Sequence, residues 1–262
     1  LPYSSDWKPS EKLPLLEADE MTPWWMKGNY GPLEDEVETT VLEVIGTLPP
    51  ELNGYFIRNG PNPHQGTPLF WFFGTGMLHQ FHFENGKALG YKSRWTKTSS
   101  FNDAQATPLA HQANTNLLYH ADRLWALYEI SPPFEVQPQS LEPIGFETFQ
   151  DQLTTPMCAH PKVDPQTGEV WFIGANQVPP SLGYGVLDRE GKWVKGGEID
   201  VERVSLMHDV QLTENYLVLF DFPMYLDPAI LMGGNLFKWE PDDPSRIGLL
   251  SRTDGTLEWY DV

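Results

Sequence analysis

Turn chemistry repeated at short intervals constrains this chain more than anything else in it. Short apolar runs rich in aromatic and β-branched residues are each closed by residues that favour or require positive φ. "MLHQFHFENGKALGYKSRW" predicts a hairpin turning at Asn85-Gly86, and "NTNLLYHADRLWALYEI" a second turning near Ala121-Asp122. "HPKVDPQTGEVWFIGA" turns at Asp164–Gly168, and "YGVLDREGKWVKGGEI" at Glu190-Gly191. "NGYFIRNGPNP" reads as a strand ended by a Gly/Pro/Asn cluster, and "YLVLFDFPM" as an apolar strand broken by Pro223. "NLFKWEPDDPSRIGLLSRTDGTLEWYDV" carries two or three more strands. Helical periodicity is weak throughout. Pairs of hairpins every ~40–50 residues are the pattern of β-propeller blades, with a sandwich or barrel as the competing all-β readings.

Composition narrows the functions open to such a fold. The 22 glycines and 24 prolines are spread along all 262 residues, and 13% aromatic content supplies a packed interior. A formal charge of −19 leaves no basic surface for nucleic acid and disfavours electrostatic attraction to anionic lipid. Cys158 is the single cysteine, which excludes an intramolecular disulfide framework and a cysteine zinc site. No apolar run approaches the ~20 residues of a membrane-spanning helix. The N-terminal residues have neither the basic flank nor the apolar core of a signal peptide, so a cytoplasmic location is expected.

Seven histidines offer the remaining chemistry. His79 and His82 are three apart and cannot share a strand face. His64 and His111 lie in polar, Pro-rich surroundings, and His120 beside a turn is expected at the solvated surface. His160 and His208 differ: each directly precedes a predicted strand, and they are one repeat apart (208 − 160 = 48). Residues that open equivalent strands of neighbouring blades converge on a propeller axis, where imidazoles can share one ion. Without further information, ordinary polar core residues in a metal-free binding propeller remain the alternative. Neither a Gly-x-Ser-x-Gly elbow nor a glycine-rich phosphate loop is present, so acyl and phosphoryl transfer lack support.

Five segments in order, "GTLPPELNGYFIRNGPNP", "FGTGMLHQFHFENGKA", "ANTNLLYHADRLWALYE", "AHPKVDPQTGEVWF" and "LMHDVQLTENYLVL", resemble successive signatures of the carotenoid cleavage oxygenase family. The resemblance implies an all-β, seven-bladed propeller, of which this chain would supply roughly the first half and which would continue beyond Val262. It implies an N-terminal arm over about 1–40 and blades from about 41 onward. It implies Fe(II) held on the axis by four histidines, with His160 and His208 matching the first and second ligands. Glu129 matches a carboxylate that accepts a hydrogen bond from a ligand imidazole, and Thr115 a threonine that crowds an open iron position. The implied reaction is cleavage of a conjugated carbon–carbon double bond by O₂ to give two carbonyl products.

The implied partners are a lipophilic polyene, O₂ and the remaining half of the propeller, on the same or a separate chain. Contact with a membrane surface, through "FPMYLDPAILMGG", would make the protein peripheral. Tyr128 and Phe73 are candidates for a substrate tunnel. Thr75 stands in "GTGM" where the family usually has an acid, and Leu206 where a Phe often precedes the second ligand. The segment "TKTSSFNDAQATPLAHQANTN" lacks a lysine-bearing stretch of stilbene-cleaving members, which favours carotenoids or apocarotenoids over stilbenes and phenylpropenes.

Overall fold

The computed structural model describes residues 22–102, 110–177, 180–201 and 203–262. The first 21 residues of the expected N-terminal arm, and the centre of the segment compared with stilbene-cleaving members, lie outside these. The chain divides into two units, Leu1–Glu34 and Asp35–Val262. In the first, two 3₁₀ turns, Trp24–Met26 and Gly28–Tyr30, set Trp24 edge-on to Trp25 and Tyr30.

The second unit is built of four antiparallel four-stranded sheets, with no α-helix among its described residues. Blade one contains β1 (Glu38–Thr39), β2 (Gly54–Pro61), β3 (Gly76–Glu84) and β4 (Lys87–Trp95), in the order β1-β4-β3-β2. Strand β1 falls inside the span expected of the arm. Its cross-strand partner on β4 explains the pairing: Glu38 lies opposite Lys92 and forms an ion pair with it at 3.3 Å. Blade two runs β5 (Asn116–His120), β6 (Arg123–Leu127), β7 (Phe134–Val136) and β8 (Pro143–Phe146). Blade three runs β9 (Lys162–Val163), β10 (Val170–Gln177), β11 (Pro180–Leu187) and β12 (Trp193–Ile199). Blade four holds β13 (Val210–Leu212), β14 (Tyr216–Asp221), β17 (Arg246–Ser251) and β18 (Leu257–Asp261). Between β14 and β17 it inserts a two-stranded ribbon, β15 (Met224–Leu226) and β16 (Phe237–Trp239).

The expected hairpins form at the expected turns. Asn85 and Gly86 adopt φ of 48° and 70°, and Ala121 and Asp122 adopt 51° and 59°, so both two-residue turns have the twist that matches paired strands. Pro223 ends β14 as anticipated, because it cannot donate to the ladder. The final segment supplies three strands.

Alternation along each strand explains the stacking of blades. On β6, Leu124 and Ala126 join Leu78 of blade one, while Trp125 and Leu127 face Trp171, Phe172 and Ile173 of blade three. These four of the five β6 residues are essentially inaccessible, so this short strand is buried on both faces. Leu217, Leu219 and Leu250 extend the same core into blade four. Each such side chain contributes about 1.5–3 kcal/mol by leaving water. At the third seam Arg252 reaches across to Asp164 at 2.5 Å, its guanidinium over the Trp171 ring. The edge strands β2, β5, β9 and β13 lie innermost, with β2 against β5 and β9 against β13. This is β-propeller architecture.

Candidate metal centre

Each candidate ligand sits where a loop from the preceding blade leads into an innermost strand. The loop before β9 lies flat on β10: the Cys158 N–H donates to the Ile173 carbonyl at 2.8 Å. Gly174 permits that approach, since a Cβ there would stand 1.7 Å from the Pro156 carbonyl oxygen. His160 follows immediately, half-buried at the mouth of β9. On the next blade, His208 precedes β13, and an ion pair ties the starts of these two strands together, Lys162 Nζ to Asp209 Oδ1 at 2.7 Å.

The two imidazoles converge. His160 Nε2 and His208 Nε2 are 3.1 Å apart, and the rings are inclined at 74°. With a metal–nitrogen distance of ~2.1 Å, that separation subtends about 95° at a common ion, which suits adjacent positions of an octahedral site. Glu129 Oε1 lies 2.8 Å from His208 Nδ1. That buried oxygen makes no aligned hydrogen bond, so the contact is a close charge–dipole one. The carboxylate nevertheless favours a proton on Nδ1, which leaves the Nε2 lone pair of His208 free to bind a metal. Among the described residues, Glu129, His160 and His208 form a group whose potential ligand atoms lie within 4.8 Å of one another. These residues fit a metal ion bound through neutral imidazoles.

Electrostatics separate the pair. Contact with Glu129 raises the His208 pKa above the usual imidazole value, whereas burial and the neighbouring His208 lower that of His160. Burial also pushes the nearby Cys158 thiol up to about 12, so it stays protonated and is a poor metal ligand.

The remaining expectations divide. Strand β6 ends at Leu127, so Glu129 reaches His208 from the turn beyond it. Thr115 directly precedes β5; its hydroxyl donates to Asn114 Oδ1 at 3.0 Å, and its N–H to the Leu127 carbonyl. Tyr128 is buried beside Glu129, and Phe73 is buried with Ile230 and Leu236 in a separate apolar cluster. Thr75 is buried and bonds Ser100, which explains how a neutral residue fits the "GTGM" turn.

His120 is a correction. It is not a surface residue but is only 8% exposed, its Nε2 donating at 2.7 Å to the Asp188 carbonyl in the β11–β12 turn. A turn position implied solvent, but the turn of the neighbouring blade covers it. Asn116, Lys162 and Asp209, which tie the ligand loops together, were not anticipated. The one available signal was a charged residue of opposite sign soon after each histidine, in "HPK" and "HD".

Fold and site define a β-propeller that gathers histidines from the loops leading into successive blades around a candidate metal position. Residues 30–262 match the family model described as retinal pigment epithelial membrane protein, and the chain belongs to that family, the carotenoid cleavage oxygenases. It is 30% identical over 285 residues to carotenoid 9,10(9',10')-cleavage dioxygenase 1 of Pisum sativum, covering 91% of this chain and 52% of that protein. It is 31% identical over 252 residues to isoeugenol monooxygenase of Pseudomonas nitroreducens, covering 86% of this chain and 52% of that protein. The crystal structure of Pseudomonas brassicacearum lignostilbene dioxygenase superposes with a TM-score of 0.76 at 28% identity, over 88% of this chain and 54% of that one. The chain thus spans about half the length of the curated relatives it matches.

Proposed function

We propose that this chain forms part of an Fe(II)-dependent dioxygenase that cleaves a conjugated carbon–carbon double bond of a carotenoid or apocarotenoid, with His160 and His208 as two of the iron ligands. The observation that carries the proposal is the convergence of the two Nε2 atoms at 3.1 Å with Glu129 behind one ring. Bound Fe(II) would supply the activation of O₂ needed for oxidative cleavage of an alkene to two carbonyl products.

The chain's own residues would set the stage for that chemistry. His160 and His208 hold adjacent positions and add no charge, so the ion keeps its dicationic character. Glu129 holds the second ring in the tautomer that presents Nε2 and raises its basicity. Thr115, leading into β5, is the residue we assign to limiting access beside the ion.

Further blades, covalent or not, would cover the open face of blade one, where Phe56, Arg58, His79, Phe81 and Tyr91 line a cavity of about 430 Å³. A lipophilic polyene is supported by the exposed Leu231 and Met232, beside the Phe73–Ile230–Leu236 cluster, which are also the side chains that would touch a membrane surface. No helix among the described residues is long and apolar enough to cross a membrane. The likeness to isoeugenol monooxygenase supports a second reading, a phenylpropene or stilbene as substrate. Incubating the iron-loaded full-length protein with an apocarotenal and, separately, with a stilbene under ¹⁸O₂ tests both. Labelled aldehyde from the polyene alone is expected; labelled product from the stilbene alone would transfer the assignment, and none from either would refute the reaction.

A further inference from the structure

Side chains on the innermost strands reach forward from blade to blade in a single direction. Asn59 on β2 spends both amide N–H bonds on blade two, donating to the Ala113 carbonyl at 3.0 Å and to the Asn116 carbonyl at 3.1 Å. Its own Oδ1 is buried with no partner, so those two carbonyls fix the orientation of the amide. Asn116 on β5 then donates from Nδ2 to the Ala159 carbonyl at 2.8 Å, the peptide immediately before His160. His160 in turn faces His208 on the fourth blade. Four successive blades are thereby linked by polar side chains, and the last two members are the candidate ligands.

The two imidazoles are supported unequally. His208 has a carboxylate against its ring. Among the described residues His160 has no carboxylate against its ring in that way: Asn116 Nδ2 approaches its Nδ1 only to 3.5 Å, too far to fix a tautomer. The grip on His160 is on the main chain instead. The Ala159 carbonyl is held to β5, and the Cys158 N–H is held to β10.

We infer that Asn116, itself seated by Asn59, is a positioning residue that sets the distance between His160 and His208 by clamping the Ala159–His160 peptide to blade two. The inference rests on the reading of His160 and His208 as metal ligands. It adds a main-chain device for the first ligand beside the carboxylate of the second. A shift of the backbone at Ala159 changes the 3.1 Å separation directly, because the loop enters β9 with one residue between His160 and the strand.

The test is a Co(II) titration of the metal-free full-length protein, read by its d–d absorption bands, beside a melting curve of the metal-free form. Asn116→Asp keeps the shape but sets an acceptor against the Ala159 carbonyl; Asn116→Leu removes the donor without adding charge. Both are expected to weaken Co(II) binding on the order of 10-fold and to shift the d–d bands, as loss of a group that orients a ligand does. Gln80→Leu is the control: Gln80 Nε2 donates to the Pro138 carbonyl at 2.7 Å, a bond of the same type between blades one and two, in the β7–β8 connection. It should lower the melting temperature and leave Co(II) affinity and bands unchanged. Wild-type affinity and bands in both Asn116 variants would overturn the inference while leaving the site intact, provided His208→Ala loses the metal. Equal loss of affinity in Gln80→Leu would also overturn it, since any inter-blade bond would then serve. Co(II) bound at full stoichiometry by His208→Ala would refute the site reading and the inference together.

Discussion

His120 and the pair His160–His208 all stand at ends of short strands near blade junctions, yet their surroundings assign them opposite work. At His120, Nε2 meets a main-chain carbonyl at 2.7 Å, and the ring is closed off between the β5–β6 turn and the β11–β12 turn. Its donor is satisfied by an acceptor that cannot leave. At the pair, neither Nε2 meets a main-chain group among the described residues; each faces the other, and the His208 side chain remains 54% exposed. A histidine whose outer nitrogen is saturated by backbone joins two blades. One whose outer nitrogen meets only another imidazole has a lone pair to offer an ion. Strand β5 carries both kinds of end, with Asn116 toward the ligands and His120 toward the seam.

This contrast can be broken by substitution. His208→Ala should reduce Fe(II) affinity by at least about 100-fold with little change in melting temperature, because the ring is half exposed and supports little packing; an unchanged titration curve would erase the distinction. Glu129→Gln retains shape but removes charge, and on the order of 10–100-fold weaker metal binding is expected, again without a collapse of stability. Loss of stability with affinity intact would move Glu129 into the His120 class. His120→Ala should do the reverse, costing about 0.5–1.5 kcal/mol in urea unfolding through the lost hydrogen bond to the Asp188 carbonyl, which still accepts from the Gly191 N–H, while metal affinity stays at the wild-type value.

The smallest effect concerns acid. Arg252 beside Asp164 lowers that carboxyl below its ordinary value, with the Gln166 and Thr167 N–H groups assisting. The stabilising contribution is therefore complete above about pH 4, the unfolded value, and is lost as pH falls through the lower folded one. Asp164→Asn should flatten stability against pH below that point and leave metal binding untouched. An unaltered acid limb would place the third seam's stability elsewhere.

Local chemistry made the hairpins legible, because one or two residues with positive φ mark each turn. The pairing of β1 with β4 and the β15–β16 ribbon inserted in blade four were not legible, since nothing near them in sequence states the partner. The same limit governed the site. His160 and His208 could be singled out by their place before strands, and Glu129 and Thr115 by family resemblance. Asn116 could not, because its role is defined by the Ala159 carbonyl on the next blade. His120 was misread for the converse reason: a turn is exposed by default, and only the packing of blade three buries this one. Nor does anything near Gly174 in sequence state that its missing side chain is what lets the His160 loop lie on β10.

The central claim, that His160 and His208 together hold one ion, is tested most directly by anomalous diffraction at the iron edge from crystals of the iron-loaded full-length protein. The account predicts one anomalous peak ~2.1 Å from both Nε2 atoms, with Glu129 still against His208 Nδ1. A peak at another site, with the two imidazoles still facing each other at hydrogen-bond distance and no ion between them, would contradict it.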